Sequence, residues 1–163
     1  MKITKLFPAL KQIANGDYVF EGSISSEETI EINLDNRLVV RGSIVSKKNI
    51  IAGCGIEAGC GIEAGEGIKA GWGIEAGEGI KAGCGIEAGE GIEAKKHIDC
   101  KLRIFAGITI YRSTRDCKKT IKCTELRNGE VAYGDLVIEN PVVTLTLAEV
   151  SKRLGIENLK IEG

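Results

Sequence analysis

One histidine, six cysteines and one tryptophan are the residues of this 163-residue chain whose side chains invite a chemical reading. His97 is the only histidine and so the only natural general base, a group that could take up a proton at neutral pH. No second polar constellation accompanies it, so it also reads as a surface residue one position before the apolar Ile98. His97, Cys100, Cys117 and Cys123 can be written as a one-imidazole, three-thiolate zinc set. Two, sixteen and five intervening residues are a poor spacing for it, and no metal or cofactor is expected. The cysteines form no CxxC pair and no secretory leader precedes them, which reads as free thiols in a cytoplasmic protein.

Charge is divided along the chain more than in total. The net charge is −1. Residues 50–94 nevertheless hold eight Glu against Lys69 and Lys81, a net of −6. Residues 95–122 hold Lys95, Lys96, Lys101, Arg103, Arg112, Arg115, Lys118, Lys119 and Lys122 against Asp99 and Asp116, a net of +7. A basic run of this kind is a footprint of nucleic-acid contact, but only Phe105 and Tyr111 interleave it, and base stacking needs more rings. A solvated face, or one complementary to the acidic residues, is the stronger reading. No apolar run approaches the roughly 18 residues of a membrane span, so no membrane partner is expected.

What positions these residues is a repeat. From Gly53 to Ala94 the chain runs Gly-x-Gly-Ile-(Glu/Lys)-Ala without insertion. Steps of six connect Ile32, Leu38, Ile44 and so on to Ile104 and Ile110, with a small residue two places after most of them; Ile24 and Ile30 carry the step back to a two-residue slip. Residues two apart in a strand share a side, so Ile and Ala turn inward and the Glu or Lys between them turns outward. Gly-x-Gly then turns a corner. Two glycines in six would cost a helix roughly 1 kcal/mol each, and collagen needs glycine at every third place. The pattern specifies an all-β, single-stranded parallel β-helix.

Charge also sets the coil length, because residues one coil apart stack about 4.8 Å from each other. Twelve residues per coil would align Glu63, Glu75 and Glu87, and would set Lys69 on Lys81. Eighteen instead gives Glu63–Lys81–Asp99, Lys69–Glu87 and Glu78–Lys96, leaving Glu57–Glu75–Glu93 as the like-charge ladder. Opposed like charges are unfavourable in a sheet, so the expectation is a triangular solenoid of about 18 residues per coil. The residue after each first corner glycine is Cys54, Cys60, Glu66, Trp72, Glu78, Cys84 or Glu90. Positions that accept Glu should be exterior, which places Trp72 on an exposed corner as a candidate interface residue.

The ends divide the chain into a cap over 1–22, the solenoid over 23–110 and a C-terminal segment over 111–163. Pro8 and Gly16 bracket an expected helix over 8–15 that caps the stack. Beyond Ile110 the reading is a small α+β segment: irregular strands, a hairpin turn at Asn128-Gly129 and a helix over 146–154 opened by the capping box Thr146-Leu147-Ala148-Glu149. Its excess of apolar residues points to a homodimer formed through 111–163.

Residues 24–110 resemble hexapeptide-repeat β-helices. In the left-handed hexapeptide acyltransferases the small residue stands two before the aliphatic one; here it stands two after, and the hand stays open. That resemblance implies a base role for His97. The stretches Glu21-Gly22-Ser23-Ile24-Ser25-Ser26 and Arg41-Gly42-Ser43-Ile44-Val45-Ser46 are similar to bactofilins, which implies end-to-end self-assembly. The Gly-Ile-Lys-Ala-Gly-Trp style also resembles small β-helix proteins of phages and mobile elements of gut Firmicutes. The function expected is that of a non-catalytic interaction protein, an inhibitor or sequestering protein aimed at a host enzyme that handles nucleic acid. Its candidate contact residues are Trp72, Glu66, Glu78, Glu90, Lys95, Lys96, Lys101, Arg103, Arg112 and Arg115.

Overall fold

A computed structural model describes residues 1–108 and 119–139. Every hexad isoleucine from Ile44 to Ile104 is buried, as is every small residue two places later from Ser46 to Ala106. The residue between them is partly or fully exposed throughout. Alternation thus does what the repeat demands: strands of three residues put two side chains into one central core. A buried Ile is worth about 1.5–3 kcal/mol against exposure, and each coil supplies one per face.

The strands stack into three faces, making about six coils. The first face runs through Ile24–Ser26, Ile44–Ser46, Ile62–Ala64, Ile80–Ala82 and residues 98–100. The second runs through Lys2–Ile3, Ile30–Ile32, Ile50–Ala52, Ile68–Ala70, Ile86–Ala88 and residues 104–106. The third runs through Lys11–Gln12, Tyr18–Phe20, Leu38–Val40, Ile56–Ala58, Ile74–Ala76, Ile92–Ala94, Thr120–Cys123 and Asp135–Ile138. Among the described residues all pairings are parallel except that of Lys11–Gln12 with Tyr18–Phe20. Ile62 pairs with Ile80 and Ile68 with Ile86, a coil of 18 residues. The first coil is two residues longer, since Ile24 pairs with Ile44 and Ile30 with Ile50. Ile30 therefore holds the isoleucine position, and Ile32 takes the small one opposite Ala52.

The expected helical cap over 8–15 does not form, and no described residue is helical. The segment turns instead at Thr4–Phe7 and Phe7–Leu10, with Ala9 at φ 60°, and then lays Lys11–Gln12 along Val19 and Tyr18. Gly16 at φ 92° closes that hairpin. The physical reason is the open edge of Tyr18–Phe20, whose backbone groups gain partners from a strand and would gain none from a helix. The apolar residues still serve as a lid: Phe7 and Leu10 pack on the core, and the Phe7 and Phe20 rings meet at 5.8 Å.

The second correction is at Asn128-Gly129. No hairpin forms there: Glu125–Tyr133 is a single strand that follows His97–Ala106 in parallel, pairing Ile98 with Leu126 and Ile104 with Val131. Gly129, at φ 100°, bends that strand around the corner directly over the Cys100 Sγ, where a Cβ would lie 2.5 Å away. The parallel ladder thus resumes beyond Ile110, because Ile121-Lys122-Cys123 again offers a large and a small residue to the core. The helix expected over 146–154 lies outside the described residues.

Corner glycines are required where a coil meets the carbonyl below it. A Cβ on Gly77 would stand 2.0 Å from the Gly59 oxygen, whereas one on Gly53 would meet nothing within 4 Å. Gly77→Ala should therefore lose about 2–3 kcal/mol in chemical denaturation through overpacking against backbone. Gly53→Ala should be neutral, or gain up to about 1 kcal/mol from lost unfolded-state entropy.

Candidate interaction surface

The outward residues meet their neighbours one coil away, and their charges pair accordingly. Lys69 reaches Glu87 at 2.6 Å, Lys81 reaches Glu63 at 3.1 Å and Lys96 reaches Glu78 at 2.7 Å. Glu57, Glu75 and Glu93 do stack on the third face as a like-charge ladder. It is closed at both ends: Arg37 reaches Glu57 at 3.1 Å and Glu75 at 3.5 Å, and Lys122 reaches Glu93 at 3.5 Å. Burial opposes the Arg37 charge, but the two carboxylates more than offset it and raise its pKa. Arg37 thus offsets the repulsion that eighteen-residue stacking forces on this face.

The candidate contact residues fall on three separate corners. Trp72 and Glu90 share the corner between the second and third faces, where the Trp72 N–H donates to the Cys54 carbonyl and the Glu90 N–H to that of Trp72. Trp72 is half-buried there, less open than its glutamate-tolerant position implied. Cys54 is buried outright at 1% exposure, so the corners are not equivalent. The extra residues of the first coil fold Leu34 into the core beside Cys54, and burial pushes the Cys54 thiol pKa up. Glu78, Lys95 and Lys96 stand on the corner between the third and first faces; Glu66, Lys101 and Arg103 stand on that between the first and second. Arg112 and Arg115 lie outside the described residues.

From Ile56 to Ile92 the residue before each hexad isoleucine is a glycine with no side chain, so each face has a shallow trough along the solenoid axis. On the third face Arg37 lies in it, its Cγ and Nε 3.6 Å from where a Gly55 Cβ would be. On the first face His97 lies in it, the imidazole over Gly79, beside a cleft of about 240 Å³ that Glu78 and Lys96 also line. On the second face Gly67 and Gly85 floor a cleft of about 990 Å³. Asn49 and Ile51 bound it toward the N-terminus, and Lys101, Leu102, Arg103 and Phe105 toward the C-terminus. Leu102 is 59% exposed and Ile51 43%, large apolar surface for such positions. The sequence carried the signal: the outward series on this face reads Glu31, Ile51, Lys69, Glu87, Phe105, and Leu102 stands where other coils have Glu or Cys.

Among the described residues no three His, Cys, Asp or Glu side chains come together as metal ligands; Cys117 is outside them. Cys100 and Cys123 face the core, where burial pushes both thiols above their ordinary pKa and away from the reactive thiolate. No helix of the described residues is long and apolar enough to cross a membrane. No family model, curated protein or solved structure matches this chain.

The Lys96–Glu78 pair makes a titration prediction. Its hydrogen bond and charge hold the Glu78 carboxyl below its ordinary value. A depressed folded-state pKa contributes stability that is present at neutral pH and is lost as the pH falls below the ordinary glutamate value of about 4.3. In a carboxyl-detected NMR titration, Lys96→Met should move the Glu78 midpoint upward while leaving that of Glu28, held down by Lys48, in place.

Proposed function

We propose that this protein is a non-catalytic interaction protein that engages a protein partner through an outer face of its solenoid. The observation that carries the reading is the second-face cleft, where Ile51, Leu102 and Phe105 present apolar surface beside charged side chains, of which Lys69 and Glu87 pair with each other. Exposed apolar patches rimmed by polar groups mark association surfaces, and a solenoid displays them on a rigid backbone. The resemblance of the repeat to phage and mobile-element β-helix proteins extends the reading to an inhibitor that sequesters a host enzyme. Its charges, paired along the faces, support a protein partner over nucleic acid.

The test is affinity capture from a host lysate with the full chain as bait, followed by reconstitution with the purified partner. A stoichiometric complex by size-exclusion light scattering is expected, and Ile51→Ser with Leu102→Ser should abolish it while leaving the circular dichroism spectrum unchanged. Recovery of the bait alone contradicts an interaction role.

A second reading, end-to-end assembly of the bactofilin kind or a homodimer, is favoured by one observation. The last described strand, Asp135–Ile138, leaves Leu136, Val137 and Ile138 each 42–43% exposed. Edge strands of this kind template pairing with another chain. Light scattering should then show mass rising with concentration, and Leu136→Asp should return the chain to monomer; a concentration-independent monomeric mass contradicts it.

A further inference from the structure

The faces of this solenoid show what its troughs accept. Arg37 lays a planar guanidinium against Gly55, and His97 lays a planar imidazole over Gly79. Flat groups suit these places because a strand backbone without Cβ atoms offers a flat floor. On the second face the Asn49 amide fills that place over Gly67, its Oδ1 3.3 Å from where a Cβ would be, whereas no side chain lies over Gly85, and the cleft opens there between apolar walls. Asn49 Oδ1 accepts the Gly67 N–H at 2.9 Å, which fixes one end.

Charge distinguishes the other end. Lys69 and Glu87 neutralise each other at 2.6 Å across the cleft. Arg103 meets Glu130 only at 3.7 Å, and Lys101 makes no ion pair among the described residues. The C-terminal end of the cleft is therefore net positive, next to the exposed Leu102. From Asn49 to Arg103 is three coil steps, about 14 Å at the usual strand spacing. An extended peptide covers that length with four or five residues.

We propose that this trough, from Asn49 to Arg103, docks an extended segment of a protein partner, with an aromatic side chain laid over Gly85 and an acidic one against Lys101. The assignment rests on the interaction reading above and names the chemistry of the segment that reading requires. Ile51 and Phe105 flank the ring, in the manner of pockets that take aromatic anchors. Lys101 and Arg103 select the acidic neighbour, and charge complementarity of this kind sets specificity more than raw affinity. Glycine at the floor is then a requirement of fit as well as of folding.

The probe is a capped pentapeptide, Glu-Gly-Trp-Gly-Glu, titrated into the ¹⁵N-labelled full chain. Saturable shifts are expected at the amides of Gly67, Gly85, Leu102 and Phe105. The peptides Lys-Gly-Trp-Gly-Lys and Glu-Gly-Ala-Gly-Glu should each bind about tenfold more weakly, the worth of one charge contact or one anchor. Lys101→Glu, an exposed change that spares the core, should reverse the preference between the acidic and basic peptides. Equal binding of the two, or no shift at these amides with millimolar peptide, overturns the assignment. So do nuclear Overhauser contacts from Gly67 or Gly85 to residues 140–163, which would give the trough to the chain itself, and binding of free tryptophan as tight as the peptide, which would make it a small-molecule site. A captured partner that is indifferent to Ile51→Ser with Leu102→Ser overturns the trough while leaving the interaction role standing.

Discussion

A backbone N–H in one coil donates to a carbonyl in the next, as Glu78 does to Cys60 and Lys96 to Glu78 in turn. That bond fixes more than the strand, because it sets every side chain on the one eighteen residues away. Isoleucine must then stack on isoleucine and alanine on alanine. A corner residue must leave room for the carbonyl beneath it, which is why Gly77 faces the Gly59 oxygen with no space for a methyl. Outward charges have no choice of neighbour either. Lys81 and Glu63 gain from this, and the Glu57–Glu75–Glu93 ladder needs Arg37 and Lys122 to be tolerable. Each exposed pair is worth little singly, up to about 1 kcal/mol, yet their arrangement discriminates between coil lengths because a twelve-residue stack would align Glu63, Glu75 and Glu87 and set Lys69 on Lys81.

The same constraint explains why so much of the fold was legible in the residues. A hexad with a large and a small apolar residue two apart has one inward side, and the charges between them select eighteen over twelve. Reading failed where the repeat failed. Over residues 8–15 the helical signals were real, but local propensity is weak beside the open edge of Tyr18–Phe20, which gains a strand partner. Asn128-Gly129 carried a hairpin signature, yet a positive-φ glycine serves a solenoid corner equally well, and Ile98 and Ile104 already offered a ladder to follow. Cys54 was misplaced by treating three corners as one, although the longer first coil makes one of them a pocket for Leu34.

The candidate surface was legible only in part. Lys101 and Arg103 stand out in the sequence for charge and Phe105 only as a ring within the basic run, whereas Ile51 and Leu102, which complete the cleft, carry no signal beyond a break in the polar outward pattern. Trp72, the residue that aromatic type alone would favour, shares a different corner with Glu90 and is half-buried. What unites the cleft is again stacking: residues from four successive coils, far apart in sequence, stand side by side because each is eighteen from the next. A rigid face of this sort suits recognition through fixed spacing, since little conformational entropy is lost when a partner docks on it.

The register of the coils therefore decides both the fold and the cleft, and cross-strand nuclear Overhauser contacts read that register directly. In a chain labelled at isoleucine methyl and backbone positions, Ile68 should show contacts to Ile50 and Ile86, and Lys69 to Glu87. Contacts from Ile68 to Ile56 and Ile80, the neighbours of a twelve-residue coil, would contradict the triangular solenoid and dismantle the cleft with it.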